Sequence, residues 1–129
     1  LKISFKNVEV EIDECKSNEK LRNYLNILNS LKDDLQKFTT WINPSNGTPK
    51  DDISASCNDY LKFFGYFSLA FVWLKTLRKC YENFDKNKEF YEDKINTGSY
   101  YFDKIIPRAD GHYKSAISGS KFTMKAKFN

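Results

Sequence analysis

Residues 60–74 read YLKFFGYFSLAFVWL, and only Lys62, Gly65 and Ser68 in that run are neither apolar nor aromatic. The stretch could be a membrane span, a ligand pocket, or the hidden centre of a soluble bundle, with a surface that docks on a partner as a further reading. Length separates these readings. Fifteen helical residues rise about 22 Å, whereas a hydrocarbon core needs about 20 residues to cover roughly 30 Å. Widening the window meets Asn58 and Asp59 on one side and Lys75 and Arg78 on the other. A helix apolar on all sides yet too short to span predicts the central rod of a bundle, with no membrane span. That helix is expected over 51–83, with Asp51 or Asp52 as its cap. Gly65 and Ala70 are expected to let a neighbouring helix approach closely.

The segments on either side fit the same plan. Between Lys16 and Asn43 there is no glycine or proline. Leu21, Leu25, Leu28, Leu31 (or Lys32), Leu35, Phe38 and Ile42 recur at steps of three and four, which predicts one apolar stripe on a long helix. Ser17 or Asn18 could cap its start. The segment 43–52, NPSNGTPKDD, predicts a surface loop. Its Asn46-Gly47-Thr48 matches a glycosylation acceptor, which is expected to be idle because no secretion is expected. A third helix is expected over 87–106, with Tyr91, Ile95, Gly98, Phe102 and Ile105 facing inward and Pro107 stopping or kinking it. A shorter fourth, 108–119, carries Tyr113, Ala116 and Ile117 and closes at Gly119. The tail offers Phe122, Met124 and Phe128 to the core.

At the front, KISFKNVEVEI (2–12) alternates apolar and polar residues, with Ile3 and Phe5 on one parity and Val8, Val10 and Ile12 on the other. That predicts two short extended pieces. The expected fold is therefore all-α: an up-and-down antiparallel bundle of three long helices plus a shorter fourth. Residues 15–129 form the bundle domain, and 1–14 an extended N-terminal segment or linker. Fully burying each large apolar side chain of the central helix contributes about 1.5–3 kcal/mol, so hiding that helix dominates stability.

The chain has 129 residues, a length that fits one domain. Its net charge is +4, yet of 21 basic residues only Arg22, Arg78 and Arg108 are arginine. Arginine is preferred for forked contacts to phosphates and base edges, so the lysine surplus argues against sequence-specific nucleic-acid binding. The C-terminal quarter carries Lys104, Arg108, Lys114, Lys121, Lys125 and Lys127 against Asp110, a surplus that could attract an anion but reads first as a solvated face. Cys15, Cys57 and Cys80 are odd in number and widely spaced, which predicts free thiols in a reducing cytoplasm rather than a disulfide framework. The chain opens on Leu1 and its only methionine is Met124, so it is expected to be a piece of a longer polypeptide.

Chemistry-bearing patterns are few. One histidine, His112, and scattered cysteines do not make a zinc set, and no Glu-x-x-His pair marks a di-iron bundle. Ser118-Gly119-Ser120 is the nearest thing to a phosphate loop and reads better as a helix stop. Asp33-Asp34, Asp51-Asp52 and Glu92-Asp93 are adjacent pairs, and adjacent residues on a helix diverge by about 100°, so each is expected at the surface or in a cap. His112 alone could titrate near neutrality unaided, and it reads as a solvated or core-edge residue. No catalytic, cofactor-binding or metal-binding residue is assigned.

NDYLKFFGYFSLAFVWL (58–74), FYEDKINTGSYYFDKIIP (90–107) and AISGS (116–120) together resemble the C-terminal helical domain of one branch of the acyl-CoA dehydrogenases. That branch includes acetyl-CoA dehydrogenase-like and 3-methylmercaptopropionyl-CoA dehydrogenase enzymes. The similarity lies on Tyr60, Leu61, Phe64, Gly65 and Trp73, then on Phe90, Tyr91, Lys94, Thr97, Tyr100, Tyr101 and Pro107. Gly98 stands where the family pattern has alanine, and Ser99 where it has a basic residue. The resemblance implies a parent oxidoreductase, a flavoprotein of fatty acid metabolism. Its FAD takes the β-hydride of an acyl-CoA while a glutamate elsewhere removes the α-proton. The fragment is expected to bind no cofactor and to act as an accessory domain. Its expected partners are the remainder of the parent dehydrogenase chain, a homo-oligomer of that parent, and the parent's acyl-CoA substrate. Cytoplasmic location, no nucleic acid and no membrane span complete the expectation. A stand-alone helical interaction module is the alternative.

Overall fold

The computed structural model describes residues 4–118, and over them the chain is all helix, with no strand among the described residues. The elements are α1 (Phe5–Cys15), α2 (Arg22–Trp41), α3 (Lys50–Glu82), α4 (Lys88–Tyr100) and α5 (Arg108–Ile117), with a π-helical turn (Tyr101–Ile105) between the last two. No helix among the described residues is long and apolar enough to cross a membrane. The all-helical bundle predicted from the sequence is the fold observed. The expectations resting on Gly119 and on Phe122, Met124 and Phe128 lie outside the described residues.

Residues 5–15 correct the extended N-terminal segment expected over 1–14. The Ser4 hydroxyl accepts from the Asn7 backbone N–H at 3.2 Å and caps a helix. Val8, Ile12 and Cys15 then fall on one helical face and enter the core. Val8, Ile12 and Cys15 fit the helical steps of four and three, and Val10 is left 50% exposed on the other side. Burial of Val8, Ile12 and Cys15 outweighs the β-preference of the β-branched residues in this segment.

α2 places Leu25, Leu28, Leu31, Leu35 and Phe38 inside, as its stripe predicted, and Leu21 is buried in the short 3₁₀ turn ahead of it. Asn18 caps that turn by accepting from the Lys20 N–H at 2.9 Å. At the loop, Gly47 takes φ +88°, the left-handed conformation glycine adopts without a Cβ penalty. α3 begins at Lys50 behind Pro49 without a side-chain cap, and Asp51 and Asp52 sit inside its first turn instead of capping it. Carboxylates there still favour the positive end of the helix dipole.

Pairings between helices give the directions. Phe38, late in α2, packs on Tyr60 and Phe63, early in α3, so α2 and α3 are antiparallel. Trp73 stacks on Tyr101, and Phe63 meets Tyr113, so α4 and α5 run back along α3 as one bent arm. The bend comes from the π-turn and Pro107. Ile106 N–H donates to the Tyr101 carbonyl five residues back, at 2.9 Å, and Pro107 has no N–H to donate. The extra residue in that turn rotates Ile106 into the core and leaves Ile105 half-buried. This shift corrects the inner face expected to include Ile105. Gly98 and Phe102 are buried as expected, with Tyr91 and Ile95 half-buried.

α3 contributes the line Phe63, Phe67, Ala70, Leu74 and Leu77 to the core. Its cover is incomplete, however. Leu61, Phe64 and Val72 remain 69%, 40% and 43% exposed, and beyond Gly65 there is open space where a close helix was expected. The close approach falls at Gly98, where an added Cβ would lie 2.8 Å from Leu77 and 2.9 Å from Trp73.

Candidate functional site

Arg78, on the last third of α3, organises the largest group of charges. Its Nε donates to Glu11 Oε2 at 2.5 Å and its Nη2 to Glu11 Oε1 at 3.1 Å, a two-pronged pair. Nη2 also reaches Glu14 at 3.0 Å, and Nη1 donates to Glu82 at 2.9 Å. Glu11 is only 4% exposed, so the guanidinium supplies what water would otherwise give that carboxylate. The Glu11 hydrogen bonds, and secondarily those of Glu82, hold the guanidinium protonated still more firmly than usual. Cys15, one turn after Glu11, donates Sγ–H to Glu11 Oε2 at 3.4 Å. Burial, then that hydrogen bond, pushes its thiol from 9.0 up to about 12. A thiol so raised is protonated and unreactive at neutral pH.

Beside this network runs a groove of about 540 Å³ between α1 and α3, bordered by Val10, Phe71, Val72, Lys75 and Lys79. The groove's arginine is already taken up by three carboxylates, so no free fork remains for a pyrophosphate. Among the described residues the helices also present no glycine-rich turn that would cradle one. The residues here do not fit the FAD that the resemblance implies for a parent enzyme.

His112, on α5, joins Asp59, on α3: Nδ1 lies 2.9 Å from Asp59 Oδ1, and the imidazole is stacked near the Tyr66 ring at 5.8 Å. The pair ties the bent arm to the first half of α3. Of the adjacent acid pairs, Asp33, Asp51, Glu92 and Asp93 lie at the surface as expected, whereas Asp34 and Asp52 are half-buried and correct that expectation. Cys57 is exposed and Cys80 buried, with all three thiols free. Lys114 pairs with Asp110 on its own helix at 2.9 Å, and Lys104 and Arg108 are exposed. Lys121, Lys125 and Lys127 lie outside the described residues. No group of three or more His, Cys, Asp or Glu is placed to hold a metal ion among the described residues.

Sequence reasoning missed the Arg78 network. Its signal was present: Glu11 interrupts the apolar line of α1, and Arg78 is one of three arginines in a lysine-rich chain. Ser99, where a basic residue was expected, hydrogen-bonds through its hydroxyl to Tyr24 at 2.8 Å. It ties α4 to α2 without a charge.

These charges form structural ties between helices. The family model described as Acetyl-CoA dehydrogenase C-terminal like matches residues 5–127. The chain belongs to that family. The match takes in α1 and α2, which carry no distinctive motif, as well as the segments on which the resemblance rests. No curated protein and no solved structure matches the chain.

Proposed function

We propose that this chain is the C-terminal accessory domain of an FAD-dependent acyl-CoA dehydrogenase, in the branch with acetyl-CoA dehydrogenase-like and 3-methylmercaptopropionyl-CoA dehydrogenase enzymes. The parent removes hydrogens from the α and β carbons of an acyl-CoA in cytoplasmic fatty acid metabolism. The domain is itself non-catalytic and serves the parent's structure and its assembly into a homo-oligomer. Family membership supports this reading. The observation that carries it is the line Leu61, Phe64 and Val72 on α3, continued by Phe5 and Val10 on α1. A helix made apolar on all sides leaves this side uncovered, and the dehydrogenase body is the occupant the family supplies. Exposed apolar area of this kind marks contact surfaces.

The test is made in the full-length parent. Leu61→Lys and Val72→Lys are expected to weaken its assembly, read by sedimentation, while the bound flavin spectrum of the remaining active enzyme stays unchanged. An upstream reading frame without a dehydrogenase body would overturn the proposal in favour of the stand-alone interaction module.

A further inference from the structure

A second recess lies where α2 faces the bend of the α4–α5 arm. It encloses about 240 Å³ between Ile27 and Leu31 on one wall and Phe102, Ile106 and Pro107 on the other. Leu31, Phe102 and Ile106 are core residues, each no more than 8% exposed, so the floor is rigid and apolar. The recess exists because of the π-turn, whose extra residue brings Ile106 to the wall. Such turns recur at functional sites.

Its polar content comes from both sides. Ser30 and Asp34 line it from α2, and Asp110 from α5. Asp110 is paired through Oδ2 with Lys114, at 2.9 Å. Asp34 is half-buried and makes no hydrogen bond or ion pair among the described residues. Burial raises its carboxyl above the usual range, and Asp110 and Asp33 add to that while Lys37 opposes it. Two carboxylates on opposing helices, against an apolar floor, form a place where a positive charge would relieve repulsion and desolvation together.

We propose that this recess is a binding site for a protonated amine carried on a short apolar chain. The ammonium group sits at Asp34, near Asp110, with the Ser30 hydroxyl as a further acceptor. The hydrocarbon lies along Leu31, Phe102 and Ile106. An anion would meet two like charges, and a neutral alcohol would leave Asp34 uncompensated.

Hexylammonium, butylammonium, hexanol and hexanoate serve as probes against the full 129-residue chain, followed by amide NMR shifts. Hexylammonium is expected to shift residues 27–34 and 102–110 and to bind at least tenfold tighter than hexanol. Hexanoate is expected not to bind. Each added methylene should improve affinity about fourfold. Asp34→Asn, which keeps the side-chain shape, should remove the advantage of hexylammonium over hexanol. Ile27→Trp, which fills the recess, should abolish binding of both, and amide dispersion reports whether each variant is folded. Equal binding of hexanol and hexylammonium would reduce the recess to an apolar crease and overturn the proposal. Full affinity in a folded Asp34→Asn variant, or shifts confined to other helices, would do the same.

Discussion

Gly98 lies so close against Leu77 that a methyl group on its α-carbon would stand 2.8 Å from Leu77 Cδ2 and 3.1 Å from Cγ. Real Cβ contacts essentially never come that near, and Leu77 is fully buried, so it can give way only by displacing core neighbours. Trp73, at 2.9 Å on the other side, is fixed by its stack on Tyr101. Gly98→Ala is therefore expected to destabilise the chain by about 1–3 kcal/mol, although alanine is the better helix former. Urea unfolding measures it. Adding Leu77→Ala should cost less in the Gly98→Ala background than in the parent sequence, a non-additivity diagnostic of direct contact.

Removing Arg78 leaves Glu11 charged, buried and unpaired. Arg78→Ala should cost about 3–5 kcal/mol, with loss of protection in α1 by hydrogen exchange. Arg78→Lys should recover only part, because a point charge cannot make the two-pronged contact. The double variant Glu11→Leu with Arg78→Met should come close to the parent stability, since it removes both charges at once.

The three thiols should separate by reactivity. Cys57 is exposed and should react with a thiol reagent under native conditions, while Cys15 and Cys80 should react only on unfolding. Because the folded-state value for Cys15 is raised, its contribution to stability is complete below pH 9.0 and is lost as pH rises toward about 12. Cys15→Ala should flatten the fall in stability across that range. Mass spectrometry of labelled peptides and alkaline unfolding curves provide the two readouts.

Asp34 behaves in the same sense at acid pH. Its folded-state carboxyl is raised by burial, so its contribution favours the fold at low pH and is lost as pH climbs through the raised value. Asp34→Asn should raise the thermal midpoint at pH 7 and leave it unchanged at pH 3. A lowered midpoint at pH 7 would show the carboxylate to be stabilising instead.

Much of this architecture could be read from spacing alone. The leucine line of α2 and the oily centre of α3 are periodic and long, so many residues vote for the same face. The front of the chain was harder, because Val8, Val10 and Ile12 fit a strand until Cys15 is counted and Ser4 is seen as a cap. The arm at Ile105 and Ile106 was misread by one residue, since no periodicity anticipates a π-turn. The Glu11–Arg78 pair spans 67 positions, and a contact at that separation leaves no pattern in a single sequence. Leu61 and Phe64 were legible as apolar but not as uncovered, because coverage depends on where α1 lies.

The fork between Arg78 and Glu11 also has a mechanical meaning. α1 runs alongside α3, with Phe5 against Phe67 and Glu11 against Arg78. A pull applied at Ser4 would thus load this clasp in shear across both prongs instead of unzipping the helix from its end. Motion of whatever precedes α1 would be handed to the longest rod of the bundle as a rigid displacement.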